Sequence, residues 1–127
     1  MNDPHGDSAA DSPQLSALER AVLEAALASV AVPEAQFHSQ IEAMSVATRT
    51  PSGVGFMTRF AVPDSLSVPD RPADETLPTV VGDHPGLPSG AEFIVQIKAG
   101  RLHTIEAFCF EGMWPGDESQ FRVSPGP

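Results

Sequence analysis

The 127-residue chain has few basic residues, a single cysteine and no long apolar run, and each shortage excludes a class of protein. Seven Lys and Arg against 17 Asp and Glu leave a net charge of −10, which excludes a general nucleic-acid binder because a phosphate backbone requires a basic surface. One cysteine excludes a disulfide framework and the common zinc motifs. No stretch approaches the roughly 20 uncharged apolar residues of a membrane span, and the N-terminal residues lack the features of a secretory signal. We therefore expect a soluble, acidic, cytoplasmic protein with neither a membrane nor a nucleic-acid partner.

The length fits one domain, whose core needs neither a metal nor disulfides. Residues 1–14 contain almost no large apolar side chains, so they predict a disordered tail. We expect a single domain over residues 15–123 and a frayed C-terminus at 124–127. Residues 63–90 hold six of the thirteen prolines, a density that predicts a long loop with at most one short edge strand at 79–81.

Two helices are predicted in the N-terminal part of the chain. Apolar residues recur at three- and four-residue spacing over residues 15–32, which is typical of an amphipathic helix. Ser16 followed by Glu19 has the spacing of a capping box, although Ser12 offers an earlier cap. A second helix is expected to begin at Pro33. Its predicted apolar stripe consists of Phe37, Ile41 and Met44.

Two hairpins are predicted after the helices, where the apolar period changes to two. The first turns at residues 51–53, and pairing of Thr50 with Val54 would place Arg49 opposite Gly55. A glycine inside this strand predicts a bulge or the close approach of another backbone. Helices on a mostly antiparallel sheet of two hairpins make an α+β two-layer sandwich.

The second hairpin joins residues 92–98 to residues 101–110 through Ala99-Gly100. A tight two-residue turn and a three-residue turn differ in register by one residue, and the sequence leaves both open. In the tight-turn register both faces carry large apolar side chains, which two helices cannot cover together. We therefore expect the long loop or another subunit on the second face, and we predict a homodimer.

Two segments resemble a family of small bacterial proteins of unknown function. They are GVGFMTRFAVP (53–63), with its GxGF strand, and GAEFIVQIKAGRLHTIEAFCFEGMWP (90–115), with its glycine-turn hairpin ending in Trp-Pro. The family is also similar in its opening helix, as at residues 18–23, so the resemblance spans most of residues 15–123. It implies a shared fold and no assigned activity, cofactor or catalytic residue. The chain departs from the family pattern in its expanded proline loop and in Ala99.

Four residues are candidates for a buried polar site or pocket: Glu106, Arg49, Arg59 and His103. In the tight-turn register Glu106 lies on an apolar strand face, where an ionised carboxylate needs a partner. We predict that an arginine holds it, Arg49 in preference to Arg59. A general acid or base at Glu106 is the alternative interpretation, in which His103 contributes to the same pocket.

No catalytic residue, metal ligand or cofactor is assigned, since the histidines have no ligand spacing and no glycine-rich phosphate loop is present. Lone Cys109 is predicted to be a small core residue. The function favoured is a protein-interaction module that binds a basic partner, as an immunity-type inhibitor binds a cationic nuclease. The alternative is a small ligand-binding domain or enzyme with a pocket between helices and sheet.

Overall fold

The structure, a computed structural model, describes residues 13–30, 35–70 and 74–126. Helices α1 (Ala17–Ala28) and α2 (Ala35–Ala43) precede one antiparallel sheet. Its strands are β1 (Ser45–Pro51), β2 (Gly55–Ala61), β3 (Glu75–Thr76), β4 (Val80–His84), β5 (Leu87–Lys98), β6 (Arg101–Cys109) and β7 (Arg122–Pro125). Their order is β1-β2-β6-β5-β4-β7, and β3 also pairs with β5. The fold is the α+β two-layer architecture that the sequence predicts.

Helix α1 begins at the predicted capping box. The Ser16 hydroxyl accepts a hydrogen bond from the Glu19 backbone at 3.0 Å, and the Glu19 carboxylate accepts one from the Ser16 backbone at 2.8 Å. The two bonds satisfy N–H groups that have no partner within the helix. The apolar face of α1 lies in the core, with buried Leu18, Val22, Leu23, Ala26 and Leu27.

Helix α2 is held against the turn between β5 and β6 by a buried glutamine. Gln40 donates to the Gly100 carbonyl at 2.8 Å and accepts from the Leu102 backbone N–H at 2.8 Å. The predicted stripe of Phe37, Ile41 and Met44 is buried, and the predicted start at Pro33 lies outside the described residues.

The turn between β5 and β6 has two residues, and both have a positive φ. Ala99 has φ 52° and Gly100 has φ 79°, as a type I′ hairpin turn requires. Next to this turn Ile97 pairs with Leu102, which is the tight-turn register.

A β-bulge at His103 then shifts the register by one residue. Beyond it Phe93 pairs with Ala107, not with Glu106. The shift puts most large apolar side chains of the hairpin on the face toward the helices and turns Glu106 to the other face. The expected division of the apolar residues between two faces, with Glu106 on an apolar one, is therefore wrong.

The proline-rich segment 63–90 is more ordered than a long loop. Strand β4 lies between β5 and β7 rather than at an edge, and the prolines at 78 and 85 flank it without entering it. Strand β5 already begins at Leu87. The first part of the segment contacts the helical layer, where Gln36 donates to Ser67 at 2.7 Å.

The chain ends also differ from the expectation. Residues 1–12 of the predicted tail lie outside the described residues, but Pro13 accepts a hydrogen bond from Val46 at 2.6 Å. Residues 124 and 125, expected to fray, belong to β7 and pair with β4. Within the described ranges neither helix is long and apolar enough to cross a membrane.

Strands β1 and β2 pair in a different register from the one expected. Arg49 lies opposite Thr58, not opposite Gly55. The predicted close approach at Gly55 is confirmed, because a Cβ there would overlap the backbone carbonyl of Ala107 in β6. Arg49 and Thr58 therefore share the sheet face that α1 covers.

Candidate functional site

The buried carboxylate of this structure is Glu19, in the first turn of α1. Its side chain is 2% exposed. Arg49 binds it with two hydrogen bonds, from Nε to Oε2 at 2.8 Å and from Nη2 to Oε1 at 2.7 Å. Thr58 Oγ1 donates to Oε2 at 2.7 Å, and the Ser16 backbone donates to Oε1 at 2.8 Å. Three of these hydrogen bonds join the start of α1 to β1 and β2, and the fourth belongs to the capping box of the helix.

The environment of Glu19 favours its ionised form. Burial raises the pKa of the Glu19 carboxyl, but the hydrogen bonds from Arg49, Ser16 and Thr58 outweigh it and hold that pKa below its ordinary value. The hydrogen bonds and the charge of Glu19 hold the pKa of Arg49 above its ordinary range against burial, and the charge of Glu118 contributes. Because both carboxylate oxygens already accept two hydrogen bonds each, Glu19 is suited to anchor the helix rather than to exchange protons.

A cleft of about 320 Å³ opens beside this ion pair. It lies between the start of α1, the β1–β2 hairpin and the segment that follows β6. Its lining residues are Ser16, Glu19, Arg49, Pro51, Gly55, Phe56, Trp114, Pro115, Gly116 and Glu118. The volume is at the small end of the range for ligand pockets.

Aromatic contacts fix the indole of Trp114 at the wall of the cleft. It stacks on Phe121 with ring centroids 5.0 Å apart, and it meets Phe56 edge to face at 5.5 Å and Phe93 at 5.9 Å. Its Nε1 donates to Glu118 Oε2 at 2.8 Å. The indole therefore has a defined position in which a ring and a carboxylate face the same cleft.

The four sequence-predicted site residues do not come together. Glu106 is exposed on the outer sheet face between Met57 and its β5 neighbour, so the prediction of a buried Glu106 is wrong. Arg49 contacts Glu19 on the opposite face, which corrects the predicted Arg49–Glu106 pair. Arg59 is exposed on the outer face. His103, at the bulge, lines a separate cleft of about 310 Å³.

The outer face, which the helices do not cover, carries Met57 and Phe108, and Val54, Phe110 and Met113 lie in the loops at the ends of these strands. We define these five residues as the apolar patch. Val54 is 47% exposed, Met57 44%, Phe110 56% and Met113 76%, whereas Phe108 is half-buried. The Val54 carbonyl accepts from the Cys109 backbone at 2.8 Å, and the rings of Phe108 and Phe110 meet at 5.4 Å. The Trp114 backbone also donates to the Gly53 carbonyl at 2.8 Å, so the loop that carries Met113 lies beside the β1–β2 loop at this end of the sheet.

Metal-ligating and thiol groups do not form a further site in the described part of the chain. It contains no cluster of three or more His, Cys, Asp or Glu side chains that could hold a metal ion. Cys109 is buried, as expected of a core residue. His84 is half-buried: its Nδ1 accepts from the Gly86 backbone at 2.9 Å, and its Nε2 lies 2.8 Å from the Asp117 carbonyl oxygen.

Comparison with known proteins does not assign the chain to a family. No protein-family model matches it, and neither a curated protein nor a solved structure is significantly similar to it. The resemblance to a family of small bacterial proteins therefore stays a prediction.

Proposed function

We propose that the protein is a protein-interaction module that binds a basic partner protein through the apolar patch and its acidic border. The observation that carries this proposal is the exposure of three large side chains in one region, with Met57 at 44%, Phe110 at 56% and Met113 at 76%. Grouped apolar side chains of this size at a protein surface are typical of protein-binding sites.

The charges around the apolar patch favour a basic partner. Glu106 lies opposite Met57, Glu92 lies opposite Phe108, and Glu111 lies between Phe110 and Met113 in the chain. Arg59 is the one positive charge of β2 on the same face, and the chain as a whole has a net charge of −10. Such a field steers a positively charged protein toward the patch. A cationic nuclease is one partner of this class, and the protein would then act as an immunity-type inhibitor that holds the nuclease inactive.

The same charges disfavour a second copy of the chain on this patch. A two-fold dimer through the patch would bring Glu92, Glu106 and Glu111 near the same three residues of the partner copy, and like charges oppose association. The homodimer expected from the sequence stays a prediction, which sedimentation equilibrium at micromolar concentration tests.

Two charge reversals test the proposal after affinity capture has identified a partner and the partner has been purified. Glu106→Lys places a positive charge beside the apolar patch, and Glu24→Lys makes the same change on the exposed side of α1. By titration calorimetry we expect Glu106→Lys to weaken binding by roughly tenfold or more, and Glu24→Lys to have a much smaller effect. Three results would overturn the proposal. They are an acidic partner, an equal loss of affinity in both variants, and a wild-type dimer that the Phe110→Ser substitution dissociates.

A further inference from the structure

We propose that the cleft beside the Glu19–Arg49 pair is a binding site for an organic cation, an alkylammonium or guanidinium group. This site is separate from the apolar patch, and its argument does not depend on a protein partner. A cleft of about 320 Å³ admits a group the size of an amino-acid side chain but is small for a nucleotide.

The balance of charge in the cleft is negative. Two carboxylates and one guanidinium line it, and Glu19 and Arg49 neutralise each other through two hydrogen bonds. The cleft therefore carries one net negative charge, which we assign to Glu118, and Arg49 also attracts this carboxylate. Glu118 Oε2 accepts from Trp114, and within the described residues its Oε1 has no hydrogen-bond partner. A bound cation would therefore meet a carboxylate oxygen with capacity to accept a hydrogen bond.

The groups that would attract an anion are already engaged. The positive end of α1 faces the cleft, but Ser16 and Glu19 cap it. The Arg49 guanidinium donates to Glu19 and also to the Gln14 carbonyl at 2.7 Å. An anion would have to displace these contacts, whereas a cation would not.

The aromatic wall supplies the second attraction. A cation within about 6 Å of a ring centroid is attracted by the ring quadrupole, and tryptophan gives the strongest interaction of this kind. Trp114 and Phe56 both line the cleft, and the hydrogen bond to Glu118 and the stack on Phe121 hold the indole in place. Because the wall is already ordered, a ligand does not have to order it on binding.

The chain has one tryptophan and no tyrosine, so its intrinsic fluorescence reports on this cleft. We would titrate the full chain with n-butylammonium, with methylguanidinium and, as the opposite charge, with acetate. We expect a saturable change in Trp114 emission with the two cations and none with acetate. Saturable binding of acetate, or no saturable change with either cation, would overturn the proposal.

A matched pair of variants separates the cleft from the general attraction of an acidic protein for cations. Glu118→Gln removes the carboxylate from the cleft but keeps an acceptor for the Trp114 N–H. Glu24→Gln removes one negative charge from the exposed side of α1. We expect Glu118→Gln to weaken cation binding roughly tenfold or more and Glu24→Gln to leave it nearly unchanged. Equal losses in the two variants would refute the site.

The cation could come from a free amine or from a lysine or arginine side chain of a protein, and a further titration distinguishes these sources. A blocked Gly-Lys-Gly peptide carries the same ammonium on a backbone. Binding of this peptide at least tenfold tighter than n-butylammonium would assign the cleft to a protein side chain. Tighter binding of the free amine would assign it to a small molecule. Failure of all the cations would refute the cleft proposal without bearing on the apolar patch.

Discussion

Replacing Glu19 by leucine should destabilise the protein more than most single substitutions. The change leaves the Arg49 side chain, 10% exposed, without its carboxylate, and it removes three hydrogen bonds between α1 and the sheet and one within the capping box. Removing one partner of a buried ion pair costs about 3–5 kcal/mol. Loss of the reciprocal bond in the capping box adds about 1 kcal/mol. Since domains are stable by only about 5–15 kcal/mol, we expect a large fall in the free energy of unfolding.

A double-mutant cycle isolates the contribution of the pair. Arg49→Met alone leaves a buried carboxylate without its main partner and should be comparably destabilising. Glu19→Leu combined with Arg49→Met replaces both charges by apolar groups, which is often close to neutral for a buried pair. We expect a coupling energy of about 2–3 kcal/mol. The double variant should not return to wild-type stability, because Thr58 loses its acceptor and α1 loses half of its capping box.

Urea denaturation of the four proteins measures this coupling, and the chain offers an internal control. Arg20 and Glu42 join α1 to α2 at 2.9 Å, but their side chains are 41% and 75% exposed. An exposed pair of this kind contributes at most about 1 kcal/mol, so its own double-mutant cycle should give a small value. If the coupling between positions 19 and 49 does not exceed that of the exposed pair, our account of Glu19 is wrong.

Three further predictions concern stability and follow from single features of the structure. The pKa of Glu19 is lower in the folded than in the unfolded chain, so the stability that its ionised form contributes is present above about pH 4.5 and is lost as the pH falls through the folded pKa. The difference in the free energy of unfolding between wild type and Glu19→Gln should therefore shrink on acidification. Urea titrations at several pH values that show a constant difference would contradict this. Gly55→Ala should lower the free energy of unfolding by roughly 1–3 kcal/mol or more, because the new Cβ would overlap the Ala107 carbonyl. An unchanged denaturation midpoint would argue against the close approach of the two backbones at Gly55. Ala99→Asn should raise the free energy of unfolding by up to about 1 kcal/mol, since asparagine tolerates the positive φ at this position of the turn better than alanine does. Thermal unfolding of this variant at a lower temperature than wild type would count against a type I′ turn.

The candidate site shows where inference from the sequence fails. Ser16 and Glu19 are predictable as a capping box from their spacing, but this pattern contains no information about the strand residue that Glu19 meets. Arg49 is 30 residues away along the chain, and only the packing of α1 on β1 and β2 brings the two together. The sequence predicts Glu106 as the buried acid, because a regular hairpin places it on an apolar face. One bulged residue, His103, reverses that placement.

The sequence by itself determines the local elements of this protein. The helices follow from apolar spacing and an N-cap, and the second hairpin follows from alternation around a glycine-containing turn, because each depends on residues within a few positions of one another. Only the tertiary structure decides the bulge at His103, the central place of β4 between β5 and β7, and the cleft at Trp114. These features depend on contacts between residues that are distant in the chain. The energy of such a contact depends on burial and on the partner residue, and local sequence patterns specify neither.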